Sequence, residues 1–261
     1  MINYPVLPAP IKSIQIVHIN NAQKTVSPEN VVSEVSVSLN VNGDEWFDFL
    51  CTPMDLEELT AGFLFSSRII VSRDEISSLK LCANGNGVDV WLTHSVEKPP
   101  KWQRNSGCSG GVSVPVIKLD PISETMKFKL SVLEINQILS TFYLTQQIYQ
   151  TSGGVHASAL FSKTSLVFKA EDIGRHNTLD KIAGQMLLSP VDINNPILIT
   201  TGRISLEMMQ KAAMIRASFV ISRTSPTTAS IDLADQLGIT VIGYAEKDRF
   251  KVYTHPEQIV D

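Results

Sequence analysis

The chain has 261 residues, of which 43% are hydrophobic and 18% are charged, and its formal net charge at pH 7 is −4. A sequence pI near 5.8 argues against a protein that binds nucleic acid or a membrane surface, and no apolar run is long enough to cross a bilayer. The N-terminus lacks the basic start and apolar middle of a signal peptide, and the cysteines show no paired spacing. We therefore expect a cytoplasmic protein with free thiols.

The N-terminal third has the pattern of a small α+β module. Residues 35–41 alternate in polarity, and the Asn42-Gly43 pair after them is a strong hairpin signal. Asp55 and Glu58 have the spacing of a capping box, which predicts a helix over the apolar positions that follow. A second hairpin is expected within residues 79–92. Together these elements predict one α+β module over residues 1–94.

Residues 95–125 show little periodicity and contain several prolines and glycines, which predicts a flexible connector. Within it, Cys108 stands between Asn-Ser-Gly and Ser-Gly-Gly, whose small side chains leave a thiol accessible. Cys108 is therefore a candidate reactive thiol, although an incidental loop cysteine would have the same surroundings. Cys51 and Cys82 lie among apolar residues and are expected to be structural thiols.

From residue 126 onward the pattern becomes that of an α/β domain. Ser131 and Glu134 form a second predicted capping box, which opens a helix that extends to about residue 150. Strands and helices then alternate, with strands expected at 165–169, 197–200, 219–221 and 239–244, and helices at 175–188, 204–214 and 227–237. This alternation predicts a three-layer α/β domain over residues 126–261 with a mainly parallel sheet.

Three loops in this domain share a composition that is typical of anion sites. Each follows a predicted strand, opens a predicted helix and contains an arginine, namely Arg175, Arg203 or Arg223. Helix N-termini and arginine side chains both favour phosphate groups. One such loop alone would be a surface arginine beside a helix cap, but three at equivalent positions favour a ligand with a pyrophosphate, such as a nucleotide.

A glycine-flanked histidine, His156 in Gly-Gly-Val-His-Ala, is a further candidate, although a solitary histidine is more often structural. Zinc is not expected. The chain has no Cys-x-x-Cys pair, and Ser158 stands where a deaminase-type zinc site would need a glutamate two residues after its histidine.

Four segments together resemble a known family. They are 153–157; 171–177 with 179–181; 201–203 with 207–208 and 210–212; and 222–227. The residues in them closely resemble the formate dehydrogenase accessory sulfurtransferase family (FdhD/NarQ). The resemblance covers nearly the whole chain, including residues 58–64 and 252–254, and the string from Glu171 to Lys181 is its most specific part.

The resemblance implies a cytidine-deaminase-like α/β domain and a homodimer. It also implies that Cys108 accepts sulfur as a persulfide from a cysteine desulfurase. The sulfur would pass to the bis-molybdopterin guanine dinucleotide molybdenum cofactor, which then enters the catalytic subunit of formate dehydrogenase. The chain departs from the family in one respect, because Gly111 replaces the second cysteine of a Cys-x-x-Cys motif. A single thiol can still carry sulfur, but the resolving thiol is lost.

The expected function is therefore that of a persulfide carrier, or sulfurtransferase, with Cys108 as its catalytic residue and a GDP-like nucleotide as a partial mimic of the bound cofactor. Glu171 and Asp172 are expected to hold Arg175 or to accept guanine N–H groups. The motifs and the resemblance together predict that the cofactor contacts His156, Arg175, His176, Asn177, Lys181, Thr201, Gly202, Arg203, Ser222, Arg223, Ser225, Thr227, Tyr244, Ala245, Glu246, Lys247, Asp248 and Arg249.

Two functions of other classes compete with this interpretation. A binding protein could shelter and deliver the cofactor without sulfur chemistry, and Gly111 is the observation that favours it. A nucleotide-modifying enzyme with a deaminase-like pocket is disfavoured by the missing metal ligands.

Overall fold

The structure is a computed structural model that describes residues 7–82, 85–99, 103–104, 112–113, 121, 128–189 and 191–261. Most of the expected connector, with Cys108 and Gly111, lies outside the described residues. Among those described, no helix is long and apolar enough to span a membrane.

The chain begins with an antiparallel hairpin that the sequence pattern did not predict. Its strands are β1 (Ile11–Asn20) and β2 (Gln23–Val32), joined by a turn in which Asn21 and Ala22 have φ angles of 47° and 64°. Neither strand alternates cleanly in polarity, and Pro28 within β2 argued against a strand. The end of the hairpin reaches the second half of the molecule, where Val32 packs against the backbone of Gly154.

The expected α+β module contains a four-stranded sheet in the order β4–β3–β6–β5. Its strands are β3 (Val35–Val41), β4 (Asp44–Cys51), β5 (Ile76–Leu81) and β6 (Gly87–Leu92), and helix α1 (Leu56–Ser66) packs against them. The hairpin turn at Asn42-Gly43 is confirmed, with φ angles of 51° and 91°. The prediction of a capping box at Asp55 is wrong, because Asp55 adopts a left-handed conformation and its side chain does not cap the helix.

Two short strands, β7 (Gln103–Arg104) and β8 (Val112–Ser113), pair with each other, and β9 (Leu130–Ser131) precedes the next helix. The capping box of that helix is confirmed, since Glu134 N donates to Ser131 Oγ at 3.2 Å and Ser131 N donates to Glu134 Oε2 at 2.8 Å. The expected single helix is broken at Gln146 into α2 (Val132–Thr145) and α3 (Gln147–Ser152). The break lies where Glu171 accepts hydrogen bonds from the first amides of α3.

A six-stranded sheet is the centre of the second module, in the order β11–β10–β12–β13–β14–β15. Its strands are β10 (His156–Ser162), β11 (Ser165–Asp172), β12 (Pro196–Thr200), β13 (Phe219–Ser222), β14 (Thr240–Glu246) and β15 (Arg249–Val252).

The prediction of a mainly parallel sheet is wrong, because only the β12–β13 and β13–β14 pairings are parallel and the other three are antiparallel. Tight turns account for two of the three antiparallel pairings. Lys163 and Asp248, with φ angles of 54° and 60°, reverse the chain after β10 and β14 where a parallel sheet would need a helical crossover.

The three-layer arrangement is confirmed. Helices α4 (Arg175–Leu188), α5 (Leu206–Met214) and α6 (Thr228–Leu237) pack on one face of the sheet, and α2 packs on the other. Strand β12 shows the two-residue period, since Leu198 joins the core of the first face and Ile197 and Ile199 join that of the second. A final strand, β16 (Ile259–Val260), pairs in parallel with β9.

The two modules meet through direct backbone contact between α1 and α4. A Cβ atom added at Gly62 would overlap the carbonyl oxygen of Asp180, and one added at Gly184 would overlap that of Glu58. Only glycine allows the two helices to approach this closely. Leu187 and Leu188 then continue α4 over the apolar core of the first module.

We expect Gly184→Ala to destabilise the protein by about 3 kcal/mol, because overpacking at a backbone contact has no flexible side chain to absorb it. In an unobstructed helix the same change would stabilise by about 1 kcal/mol, so the sign is diagnostic. Urea unfolding measures the difference. Gly153→Ala is the control without a steric neighbour, since a Cβ there meets no atom within 4 Å, and the strain of its positive φ alone should destabilise by only about 1 kcal/mol.

Candidate functional site

The antiparallel placement of β10 brings its first residue to the edge where neighbouring strands end. His156 lies opposite Asp172, the last residue of β11, and Ser158 lies opposite Thr200, the last residue of β12. Thr201 N donates to the carbonyl oxygen of Ala157 at 2.9 Å, which ties the loop after β12 to β10. This edge therefore gathers the predicted histidine and the predicted arginine loops.

One cleft at this edge, which we call the histidine cleft, has a volume of about 480 Å³ and is lined by Tyr149, Gly153, Gly154, Val155, His156, Ile173, Thr201, Arg223 and Thr224. His156 Nδ1 lies 3.2 Å from Thr201 Oγ1, which also accepts a hydrogen bond from Ala157 N at 3.0 Å. The imidazole is thus fixed against the loop after β12.

The electrostatics of the histidine cleft keep the imidazole neutral. Burial lowers the pKa of His156 most, and the positive charges of Arg175 and Arg203 lower it further, whereas Asp172 acts in the opposite direction. Because the imidazole is neutral, the positive charge in this part of the site comes from the arginines. The arrangement suits an anionic ligand with a hydrogen-bonding group near the histidine.

A second cleft, the tyrosine cleft, has a volume of about 440 Å³ and is lined by Leu139, Ser140, Phe142, Tyr143, Arg223, Ala245, Glu246 and Lys247. The guanidinium carbon of Arg223 lies 4.8 Å from the centre of the Tyr143 ring, a cation–π contact. Since Arg223 lines both clefts, they adjoin along its side chain.

Only part of the predicted cofactor-binding segment 244–249 lines a cleft, and the rest makes structural contacts. Ala245, Glu246 and Lys247 line the tyrosine cleft. Tyr244 instead donates its backbone N–H to Thr224 at 3.0 Å and places its ring under Lys251 Nζ, 4.5 Å away. Asp248 forms two hydrogen bonds with Asn136 of α2, and Arg249 forms an exposed ion pair with Glu246. These last contacts hold the turn in position beside α2.

The Arg175 side chain rests on the loop after β12. A Cβ atom at Gly202 would lie 3.0 Å from Arg175 Cβ and 3.1 Å from Arg175 Cδ, so glycine leaves room for the arginine stem. Arg203 in the same loop is exposed. The contact between Arg175 and Gly202 joins the first two predicted arginine loops, and Arg223 of the third loop lines the histidine cleft.

Asn177 and Lys181 do not reach either cleft, because both belong to a buried network around Asp172. Lys181 is fully buried, and its Nζ lies 2.7 Å from Asp172 Oδ2 and 3.2 Å from the carbonyl oxygen of Glu171. Asn177 Nδ2 donates to Asp172 Oδ1 at 2.8 Å and to the carbonyl oxygen of Leu50 at 2.9 Å. The expected cofactor-binding role of these two residues is corrected to a structural one.

The same network corrects the expectation that Asp172 holds Arg175 or a guanine. Its carboxylate accepts hydrogen bonds from Gly174 N at 2.8 Å and Thr52 N at 3.1 Å, in addition to its contacts with Asn177 and Lys181. Glu171 likewise accepts from Ile148 N at 3.0 Å and Tyr149 N at 2.8 Å, so it holds the first turn of α3.

His176 lies behind the histidine cleft with its Nε2 3.5 Å from Glu207 Oε2. Burial lowers the pKa of His176 to about 3, assisted by the charges of Lys211 and Arg175 and by His156. The side chain is only 6% exposed, so the structure does not offer it to a ligand.

The remaining predicted residues shape the loop after β13. Ser222 Oγ donates to the carbonyl oxygen of Gly202 at 2.7 Å, and Ser225 accepts Ile204 N through its carbonyl oxygen at 3.1 Å. Thr227 caps α6 by accepting Ser230 N at 3.3 Å. They join the second and third arginine loops, and their side chains do not line the two clefts.

Sequence reasoning missed several lining residues, above all Tyr143, Tyr149 and Thr224. Tyr143 stands on the exposed face of α2, where an aromatic residue gives no signal of an arginine partner. Among the described residues no group of three or more metal-ligating side chains occurs.

The two cysteines in the described part of the chain lack the accessible, easily ionised thiol that a sulfur carrier needs. Cys51 ends β4 fully buried, and burial raises its pKa to about 12, with a further rise from Asp172. Cys82 is partly buried, and burial followed by Asp89 raises its pKa. Both are free cysteines.

We expect thiol alkylation of the folded protein at pH 8 to spare Cys51, because a thiol with a pKa near 12 is ionised to only about one part in ten thousand. Cys82 should react slowly and Cys108 first. Peptide mass spectrometry after timed treatment with N-ethylmaleimide gives the order, and a urea-unfolded sample is the control in which all react. Early labelling of Cys51 in the folded protein would contradict the assignment.

Comparison with known proteins agrees with the motifs. A model of the FdhD/NarQ family matches residues 32–260. Proteins named sulfur carrier protein FdhD from two Staphylococcus aureus strains, RF122 / ET3-1 and Newman, are each 32% identical over 239 residues, which is 89% of this chain and 90% of theirs. A crystal structure described as a formate dehydrogenase accessory protein from Desulfotalea psychrophila superposes with a TM-score of 0.82 at 27% identity, covering 96% of this chain and all of that one. The chain therefore belongs to the FdhD/NarQ family.

Proposed function

We propose that this protein is a sulfur carrier that loads sulfur from a cysteine desulfurase onto Cys108 and passes it to the guanine dinucleotide molybdenum cofactor used by formate dehydrogenase. Family membership and the names of the relatives support the sulfur-carrier part. The observation that carries the cofactor part is the pair of adjoining clefts around Arg223, which combines cationic groups with an aromatic face.

The loading step needs only a thiolate. Cys108 S⁻ attacks the outer sulfur of the desulfurase persulfide, a new S–S bond forms, and the desulfurase cysteine leaves as a thiolate. Neither Cys51 nor Cys82 suits this step, since burial raises the pKa of both. The absence of a cysteine at position 111 leaves the loaded persulfide without an adjacent thiol to resolve it.

The cofactor is held as a substrate through its nucleotide parts. The positive charges of Arg175, Arg203 and Arg223 would bind phosphate oxygens at the histidine cleft. The Tyr143 ring and the Glu246 carboxylate in the tyrosine cleft offer a stacking surface and an acceptor for guanine N–H groups. His156 would bind a neutral polar group of the cofactor that lies between its phosphates and its guanine.

A cytidine-deaminase-like fold remains part of the proposal. The strand order, with a first antiparallel hairpin β10–β11 beside the run β12–β13–β14, supports it. A homodimer and docking to the catalytic subunit of formate dehydrogenase are likewise proposed from the family.

A delivery chaperone without sulfur chemistry is the second candidate, favoured by Gly111. It would use the same clefts and would not need Cys108.

We expect Cys108→Ala to abolish maturation of formate dehydrogenase in cells that lack their own accessory protein, because burial raises the pKa of Cys51 and Cys82 and makes both poor sulfur carriers. Binding of GDP and the melting temperature should stay unchanged. Cys82→Ala is the matched control and should retain activity. Full maturation by Cys108→Ala would favour the delivery chaperone. Incubation with a desulfurase and cysteine, followed by intact mass, should add one sulfur to the wild type and none to Cys108→Ala.

We expect GDP to bind about tenfold more tightly than ADP, since a hydrogen bond from guanine to a charged acceptor contributes about 1.5 kcal/mol and each ~1.4 kcal/mol changes the affinity tenfold. Raising the salt concentration should weaken both equally, because the arginine–phosphate contacts are screened. Titration calorimetry measures both effects, with guanosine as the control that lacks phosphate. Equal affinities for GDP and ADP would remove guanine recognition from the proposal.

A further inference from the structure

The hairpin of β1 and β2 lacks the packing that normally stabilises a two-stranded sheet. A lone hairpin is marginally stable in water and needs further strands or a packed face. Among the described strands, β1 and β2 pair only with each other. Most of their side chains are exposed, including Val17, Val26 and Ile19 at 56%, 69% and 70%. Beyond its base, the hairpin therefore presents apolar surface that the described residues leave uncovered.

The hydrogen-bond register shows which backbone groups of β1 point away from β2. Ser33 N donates to the carbonyl oxygen of Pro10 at 2.8 Å, in register with the pairing of Ile11 and Val32. Hydrogen-bonded and non-hydrogen-bonded pairs alternate in an antiparallel ladder, so the even-numbered residues of β1 bond to β2. The backbone groups of the odd-numbered residues between 11 and 19 point outward and form one continuous edge.

The outer edge of β2 is blocked, whereas that of β1 is not. Pro28 lies opposite Gln15, which is one of the outward-facing residues, so the N–H that Pro28 lacks belongs to the outer edge of β2. A proline there cannot donate to a further strand. Strand β1 contains no proline, and its register with β2 runs without a shift. Of the two edges, β1 is therefore the one open to another strand.

The sequence of β1 is complementary to itself in the antiparallel direction. About a two-fold axis at Gln15, Ile14 of one copy comes opposite the partner subunit's Ile16, and Ile11 comes opposite the partner subunit's Ile19. Every outward-facing residue is paired in this register, whereas a shift by two residues leaves one on each strand without a partner.

The charge of β1 also favours the antiparallel direction. Lys12 is the only lysine, arginine or carboxylate residue in the strand. In the antiparallel register it lies opposite the partner subunit's His18, and the two Lys12 positions are about 20 Å apart along the strands. A parallel pairing in register would instead place the two ammonium groups side by side, which is unfavourable.

We propose that β1 pairs with β1 of a second copy of this chain, antiparallel about Gln15, and that the two hairpins form one four-stranded sheet. The inference rests on the homodimer of the proposed function and gives it an interface. Both copies contribute the same edge, so the contact is isologous and closes at two subunits. The outer strands of the joined sheet are the two β2 strands, where Pro28 opposes the addition of a third copy.

The same register links the interface to the histidine cleft. Ile19, near the tip of one hairpin, comes opposite the partner subunit's Ile11, near the base of the other. Within each chain Ile11 pairs with Val32, which packs against Gly154 in the wall of the histidine cleft. Each subunit thus supports the hairpin base that contacts the cleft wall of the other.

The test is the dimer dissociation constant of the full chain, measured by sedimentation velocity over a concentration series. Gln15→Pro removes the N–H at the axis from both copies, yet it keeps the hydrogen bonds within the hairpin because that N–H points outward. Pro28 occupies the equivalent position on the opposite strand. Loss of two hydrogen bonds should raise the dissociation constant by about thirtyfold or more.

Asn30→Pro is the matched control. Asn30 lies opposite Ser13, so its N–H also points outward, but on the edge of β2 that no strand joins. The dissociation constant of this variant should equal that of the wild type. Circular dichroism and the melting temperature check that both variants keep the fold.

A cross-linking experiment tests the register without proline. Ile14→Cys and Ile16→Cys are made as separate variants, each in a chain with Cys82→Ala and Cys108→Ala. Positions 14 and 16 of opposite subunits form a non-hydrogen-bonded pair with Cα atoms about 4.5 Å apart, which suits a disulfide. Mild oxidation of the mixed variants should join these two positions, as read by peptide mass spectrometry. Either variant alone should cross-link far less, because its two cysteines are displaced by two residues.

A monomeric wild type would overturn the inference, and so would a Gln15→Pro dimer as tight as the wild type or a dimer without the cross-link between positions 14 and 16. These results would leave sulfur loading onto Cys108 and GDP binding standing, since both are measured separately from the oligomeric state. A dimer that forms as expected but takes up no sulfur from a desulfurase would instead overturn the sulfur-carrier function and leave the interface standing.

Discussion

The buried carboxylate of Asp172 is the interaction on which the geometry of the site depends. It pairs with Lys181 and accepts hydrogen bonds from Thr52, Gly174 and Asn177, so that a charge taken out of water is fully compensated. The partners come from the end of β4, the start of α4 and its first turns. The Asp172 carboxylate therefore fixes the first module to the second at Arg175, the first residue of α4.

The described residues that line the histidine cleft include Arg223 and no carboxylate. His156 contributes a neutral ring, because burial and the positive charges of Arg175 and Arg203 lower its pKa. Asp172 and Glu171 are occupied by protein donors. Phosphate groups would thus complete an arrangement that the protein alone leaves cationic.

The sequence predicted this edge of the sheet better than the roles of individual side chains. Helix α4 has the expected bounds, and the three arginine loops contact one another through Gly202, because both features follow from local patterns of strand, loop and helix. Lys181 was assigned to the cofactor because it belongs to the motif that carries the family resemblance. Its burial depends on Thr52, 129 residues away, which no local pattern reveals. Strand β10 was missed because its glycine-flanked start resembled a loop motif.

Adjacent residues at the end of β11 hold the two walls of the histidine cleft. Glu171 fixes α3, which leads into the wall before His156, and Asp172 fixes the start of α4, which carries Arg175. The side chains of successive strand residues point to opposite faces, so the two tasks are divided by the strand's own period. A single inserted or deleted residue in β11 would exchange those faces and detach both walls at once. Length variation in this family should therefore be confined to the turn at Lys163 and excluded from the strand that follows it.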